Sequence, residues 1–136
     1  MSTINKTYAE KVKDEGASFS ALDHGRFREI EKAIDDTVSI GGEIWCCGAW
    51  RGGTALWMKG HLMMSESPRV IRAFDTFQGL PFSKEDIDMH PIGAMKSDYD
   101  EVAKRLDYPN IFIHTGIMPD SFVGLEDSII SGTYRR

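Results

Sequence analysis

The sequence predicts an α/β fold, a parallel β-sheet covered by helices and arranged as the first half of a doubly wound domain. Three observations predict it. Short apolar runs at 43–47, 70–74 and 111–114 alternate with stretches of helical periodicity. A glycine-rich turn, Gly48-Ala49-Trp50-Arg51-Gly52-Gly53, follows the first run directly. An acidic residue, Asp75, ends the second run about twenty positions later, where such sheets commonly hold a ribose hydroxyl.

The elements follow in order. Residues 1–20 are polar and weakly periodic, which predicts a flexible lead-in with at most a short helix around Tyr8 to Lys13. From Asp23 onward Phe27, Ile30, Ile34 and Val38 recur at spacings of three and four with charges between them, the pattern of an amphipathic helix. Gly41-Gly42 stops that helix, and Glu43 to Cys47 reads as a short buried strand. Helical spacing resumes from Thr54 to Met64. Val70 to Phe74 reads as the second strand, followed by a loop containing Gly79 and Pro81. Residues 83–96 are polar and broken by Pro91 and Gly93, so they predict an excursion or lid above the sheet. Ser97-x-x-Asp100 has the form of a capping box opening a helix through Leu106, which Pro109 ends. Ile111 to His114 is then the third strand, expected outside strand 2 just as strand 2 lies beside strand 1.

Bulk properties exclude several classes. The 136 residues suit one domain, and 41% hydrophobic with 27% charged residues is a globular composition without a run long enough to span a bilayer. The N-terminal stretch has no apolar core of a secretory signal, so a cytoplasmic location and reduced thiols are expected. A formal charge of −5 with no Lys/Arg cluster argues against a nucleic-acid partner. Cys46 and Cys47 are adjacent in a strand, so they point to opposite faces and are read as small buried residues. No second Cys or His pair at ligand spacing makes them a zinc site. Glu85, Asp86, Asp88 and His90 alternate in a polar loop and are read as a solvated lid, with no metal assigned. His24, His61 and His114 are isolated, although His114 falls at the carboxyl end of the third strand. The seven methionines are read as core filler.

The glycine turn lets the backbone approach a nucleoside-type ligand at a helix N-terminus. Its spacing is neither G-x-G-x-x-G nor a P-loop, and Thr54-Ala55 offers no Lys-[ST], so a phosphate-binding hydrolase is disfavoured.

Two stretches, "CGAWRGGTALWM" and "RAFDTFQGLP", closely resemble the macrocin O-methyltransferase family, in which a G-V-W-R-G-G loop precedes an F-D-[ST]-F-x-G-[LM]-P segment. "HTGIMPDSF" resembles the family's turn after strand 3 more weakly, and the resemblance covers residues 20–122. It implies a Rossmann-like sheet of the class I methyltransferase type, its N-terminal half only, in a single partial domain. It implies S-adenosylmethionine as cofactor, with transfer of the sulfonium methyl to a hydroxyl of a sugar or natural-product acceptor. It places Gly48, Ala49, Trp50, Arg51, Gly52, Gly53, Asp75 and Thr76 at the cofactor. Gly48, Arg51, Gly52 and Gly53 would surround the methionine end, and Asp75 would hold the ribose.

Two departures from the family pattern stand out. The family's glutamate two residues before the first glycine is Cys46 here, and nothing after Phe122 corresponds to the family's later aspartates, which bind a divalent metal such as magnesium and help deprotonate the acceptor. No catalytic residue is therefore assigned. The chain is expected to end after the third strand, with Ile129-Ile130 the only further strand-like pair and strand 1 left with an uncovered edge. The chain is expected to be either a truncated or fragmentary methyltransferase or a short variant that covers this edge by self-association, with Trp45, Trp50 and Trp57 then as candidate buried contacts, although core packing is their more ordinary use. The competing reading is a non-catalytic nucleoside-binding or oligomerisation module derived from such an enzyme.

Overall fold

The chain alternates strand and helix after a helical start. The computed structural model describes residues 3–84, 87 and 90–125. They form α1 (Thr3–Ser18), α2 (His24–Asp36), β1 (Ile44–Cys47), α3 (Gly53–Met64), β2 (Ile71–Asp75), α4 (Tyr99–Arg105), β3 (Ile111–Thr115) and a 3-10 turn at Asp120–Phe122. The strands are parallel in the order β1-β2-β3, as the alternation predicts, with Ile44 opposite Ile71 and Ile71 opposite Ile111. Among the described residues β1 pairs on one side only, and no helix is long and apolar enough to cross a membrane. The fold is a Rossmann-like α/β arrangement corresponding to the first half of a doubly wound parallel sheet.

The helices pack on one face of the sheet. Cys46, Ile71, Ala73 and Ile111 project into a core completed by Leu56, Leu62, Val102 and Leu106. The opposite face carries Trp45, Arg72, Phe74, Phe112 and His114, because side chains alternate along each strand. Phe74 is fully buried there under Trp45, His114 and Phe122, whose ring centroids lie 4.8–4.9 Å away. Arg72 is buried as well and makes a two-pronged ion pair with Glu43, at 2.6 and 2.9 Å, while the same glutamate accepts the Trp45 indole N–H at 2.7 Å. Every strong donor in this cluster has an acceptor, which is what makes a buried guanidinium tolerable in an otherwise apolar strand.

The N-terminal lead-in is corrected. Residues Thr3–Ser18 form a full helix, with Ala9 and Val12 buried against α3. The sequence hides it because its contact stripe is built of small residues: a Cβ on Gly16 would stand 2.7 Å from the Gly53 carbonyl oxygen, and one on Gly60 would stand 2.9 Å from that of Ala9. Close backbone approach replaces large apolar side chains, so hydropathic periodicity is weak.

Other expectations are refined. Asp23 caps α2 through Arg26 N–H at 2.9 Å, and Phe27 stacks on Trp57 at 4.2 Å. Val38 falls beyond the helix and is exposed. Asp98, not Ser97, caps α4, accepting the amides of Asp100 and Glu101 at 2.9 and 3.3 Å. Cys46 is buried but Cys47 is exposed, and both thiols are free. Of the methionines, Met58 is in the core, whereas Met95 and Met118 are exposed. The base of the excursion is closed by Leu80 N–H to Ala94 O at 2.9 Å and Gly93 N–H to Leu80 O at 3.0 Å. Glu85, Asp86 and Asp88 of the acidic run lie outside the described residues, as do Ile129-Ile130.

Candidate functional site

Parallel strands leave their carboxyl ends on one rim, and the connections leaving that rim build the site. The turn after β1 is held to β2 by two amides, Gly48 N–H and Ala49 N–H, which both donate to the Phe74 carbonyl at 2.8 and 2.9 Å. Gly48 has φ +89° and nothing within 4 Å of where its Cβ would be, so open space lies in front of it. Trp50 follows at φ +48°, and Gly52 at +82° supplies the N-cap of α3.

Two clefts open on this rim. The first, of about 340 Å³, lies between the Phe19–Leu22 connection, the end of β1 and the start of α3, and includes Cys46, Cys47, Gly48, Ala49, Trp50 and Thr54 in its walls. The second, of about 390 Å³, lies between the ends of β1 and β2, the 79–82 loop and the 116–118 turn, and includes Gly48, Trp50, Asp75 and Thr76. Both volumes are in the range of roughly 300–1,000 Å³ usual for small-molecule sites. They meet at Gly48, Trp50 and Met95. A shallower cleft of about 550 Å³ continues past Gly79 and Gly116 toward Ile92 and Ile117.

Of the sequence-assigned site residues, Gly48, Ala49, Trp50, Asp75 and Thr76 therefore line these clefts, and Arg51, Gly52 and Gly53 do not. Their surroundings explain why. A Cβ on Gly52 would crowd Leu106 and Val102 at 3.2 Å, and one on Gly53 would overlap the Phe19 backbone at 2.2 Å, so these two glycines admit α4 and α1. The Arg51 guanidinium sits 4.8 Å from the Phe19 ring centroid, with that of Arg105 at 3.5 Å, while Arg105 Nη1 donates to the Arg51 carbonyl at 2.7 Å. Those contacts clamp the wall of the first cleft.

Asp75 is the polar centre of the rim. Its Oδ2 accepts Trp50 N–H at 2.7 Å and its Oδ1 accepts Phe77 N–H at 2.9 Å. A carboxylate offers about four acceptor positions, so one on each oxygen remains. The Thr76 hydroxyl is turned into its own loop, donating to Gly79 O at 3.1 Å. Cys46 sits beneath the rim with its thiol pushed up to about 12 by burial, with Cys47 and Asp75 adding to it. His114 lies on the other face of the sheet, stacked on Phe74 and accepting from Arg72 at 3.1 Å, and it lines none of the three clefts.

Sequence reasoning missed Ser97, the Phe19–Leu22 wall and Met95. Ser97 Oγ donates to the Trp50 carbonyl at 2.8 Å. Its signal was present, a small hydroxyl residue before a helix, but a cap explained it equally well.

Among the described residues no group of three or more His, Cys, Asp and Glu side chains could hold a metal ion. The described residues thus do not fit a divalent ion.

The chain is similar to demethyldecarbamoylnovobiocin O-methyltransferase of Streptomyces niveus, with 31% identity over 90 residues covering 60% of this chain and 34% of the relative. It thus spans about a third of that relative's length. The macrocin-O-methyltransferase (TylF) family matches residues 5–109, which takes in α1, the glycine turn, the Asp75 segment and α4 and stops short of "HTGIMPDSF". With the glycine turn and Asp75 placed together on one rim and most of the chain matched, the protein belongs to the macrocin-O-methyltransferase (TylF) family.

Proposed function

We propose that this chain forms the S-adenosylmethionine-binding part of an O-methyltransferase whose acceptor is a hydroxyl of a sugar or related natural product. The observation that carries the reading is the pair of clefts meeting at Gly48 and Trp50, with Asp75 in the wall of the second. S-adenosylmethionine, when bound, would supply an electrophilic methyl carbon: an acceptor oxygen would bond to it in line as the bond to sulfur breaks, with S-adenosylhomocysteine as the leaving group and the hydroxyl proton lost to a base.

The residues suit the parts of that molecule separately. The free acceptor positions of Asp75 fit a pair of ribose hydroxyls. Leu80, Pro81 and Met118 give the second cleft an apolar wall suited to a base. The first cleft lies against the N-terminus of α3, where unsatisfied N–H groups and the helix dipole favour a carboxylate. Trp45 and Trp50 provide aromatic faces there, an environment favourable to a cation. Catalysis of a displacement of this kind rests mainly on alignment, which a rim fixed by backbone hydrogen bonds provides. Asp75 is the only carboxylate lining the three clefts and is committed to the loop, so no catalytic base is assigned.

Calorimetric titration with S-adenosylmethionine tests the reading. One-site saturable binding is expected, weakened roughly 10- to 100-fold in Asp75→Ala, the worth of hydrogen bonds to a charged group. A folded chain that does not bind would overturn it.

A further inference from the structure

Three residues with side chains adopt left-handed backbone at or beside the clefts, Trp50 at φ +48°, Phe77 at φ +60° and Met95 at φ +62°, and the first two are tied to each other. An L-residue holds that conformation only where its surroundings enforce it. Here the enforcement is a closed ring of four hydrogen bonds. Trp50 N–H donates to Asp75 Oδ2 at 2.7 Å, and Phe77 N–H donates to Asp75 Oδ1 at 2.9 Å. The Phe77 carbonyl accepts Ser97 N–H at 3.2 Å, and the Ser97 hydroxyl donates to the Trp50 carbonyl at 2.8 Å. The ring ties together the glycine turn, the turn after β2 and the residue that precedes the cap of α4.

Trp50 is therefore fixed at both its amide and its carbonyl, which sets the direction in which its side chain leaves the turn. Its Nε1 is buried and has no hydrogen-bond partner among the described residues. The other two tryptophans differ: Trp45 donates to Glu43 at 2.7 Å and Trp57 to Glu31 at 3.1 Å. A buried donor without an acceptor is destabilising, and native structures keep few of them. This one belongs to a side chain in the wall of both clefts, held by a strained backbone.

We propose that Ser97 is a positioning residue for the cofactor site: by closing the ring it holds Trp50 left-handed, so that the indole N–H meets an acceptor atom of bound S-adenosylmethionine. The inference rests on the reading that the two clefts take that cofactor. An indole N–H only donates, so its partner is an oxygen or unprotonated nitrogen of the ligand, not the sulfonium.

The test is proton–nitrogen NMR of the 136-residue chain labelled at the indole nitrogens and titrated with S-adenosylhomocysteine, which keeps the carboxylate, ribose and base. Of the three indole signals, the one missing from Trp50→Phe moves downfield on binding, and those of Trp45 and Trp57 stay in place. Ser97→Ala binds about five- to tenfold more weakly and loses that shift, whereas Ser97→Thr, which keeps the hydroxyl, restores both. A purely structural role for Ser97 would change the melting temperature of Ser97→Ala but leave the shift intact at saturation, and that result overturns the proposal. Saturable binding with a stationary Trp50 signal in the unmutated chain also overturns it, whether or not the variants fold, and leaves the cofactor reading standing. Failure of the folded chain to bind at all removes the cofactor reading itself, and the inference with it.

Discussion

Gly53, the first residue of α3, touches the backbone of Phe19: a Cβ in its place would lie 2.2 Å from the Phe19 carbonyl carbon. Gly16 meets the Gly53 carbonyl in the same way, and Gly60 meets Ala9 and Lys13. Helix α1 thus seats on α3 through glycines, and this contact places the Phe19–Leu22 wall of the first cleft. A glycine that the family motif assigns to the cofactor is here required by helix packing.

Gly16→Ala and Gly60→Ala should each destabilise the chain by about 1–3 kcal/mol, because backbone atoms that cannot rotate away stand 2.7 Å from the new methyl at Gly16 and 2.9 Å from it at Gly60, where the Lys13 side chain must also move. Gly42→Ala, with nothing within 4 Å of the new methyl and no positive φ, should change stability by less than about 0.5 kcal/mol. Urea denaturation of the three variants checks this, and equal losses at all three sites would count against the α1–α3 contact.

The two cysteines should react unequally. Burial pushes the Cys46 thiol up to about 12, while Cys47 is exposed and only partly desolvated. Because the thiolate is the nucleophile, iodoacetamide at about pH 8 should label Cys47 alone in the native chain and both residues in urea. Mass spectrometry of peptides reads the outcome directly. Native labelling of Cys46 would mean that the helix-covered face of β1 opens.

Cys46→Glu restores the family's carboxylate but sets it in the core beside Asp75. The ligand-free variant should lose about 3–5 kcal/mol, the cost of an uncompensated buried charge. S-adenosylmethionine should then raise its melting temperature more than that of the unmutated chain, since the cofactor's ammonium would neutralise the charge. Thermal melts with and without the cofactor decide the matter, and equal increments would show that position 46 does not face the ammonium.

His114 gives stability a dependence on acidity. Burial, and then the charge of Arg72, hold its pKa below the ordinary 6.5, with Glu43 pulling weakly the other way. A guanidinium cannot accept a hydrogen bond, so the His114 Nε2 facing Arg72 is unprotonated in this arrangement. The folded state then disfavours the charged imidazole relative to the unfolded chain. Its contribution is fully present above about pH 6.5 and is lost as pH falls through the lower folded value. Stability to urea should therefore decline more steeply below pH 6.5 in the unmutated chain than in His114→Gln. Parallel slopes would assign the acid sensitivity to other groups.

The strands, α2 and the glycine turn were legible in the sequence because their determinants are local. Ile71 to Phe74 is a short buried run followed by Asp75, Gly79 and Pro81, and the spacing of Phe27, Ile30 and Ile34 marks one face of a helix wherever that helix docks. The sequence order also placed Asp75 and the glycine turn on the same rim, since parallel strands put their carboxyl ends together. Tertiary structure alone decided the rest. The helix α1 depends on glycines in α3 that lie more than 35 residues away in the chain, so no periodicity within α1 announces it. Asp75 meets the Trp50 amide across 25 residues and Ser97 meets its carbonyl across 47. Side-chain type and spacing carry the propensities of a segment. Which donor faces which acceptor is set by how the packed segments bring distant backbone groups within hydrogen-bonding distance, and in this protein those distant pairs are what shape the candidate site.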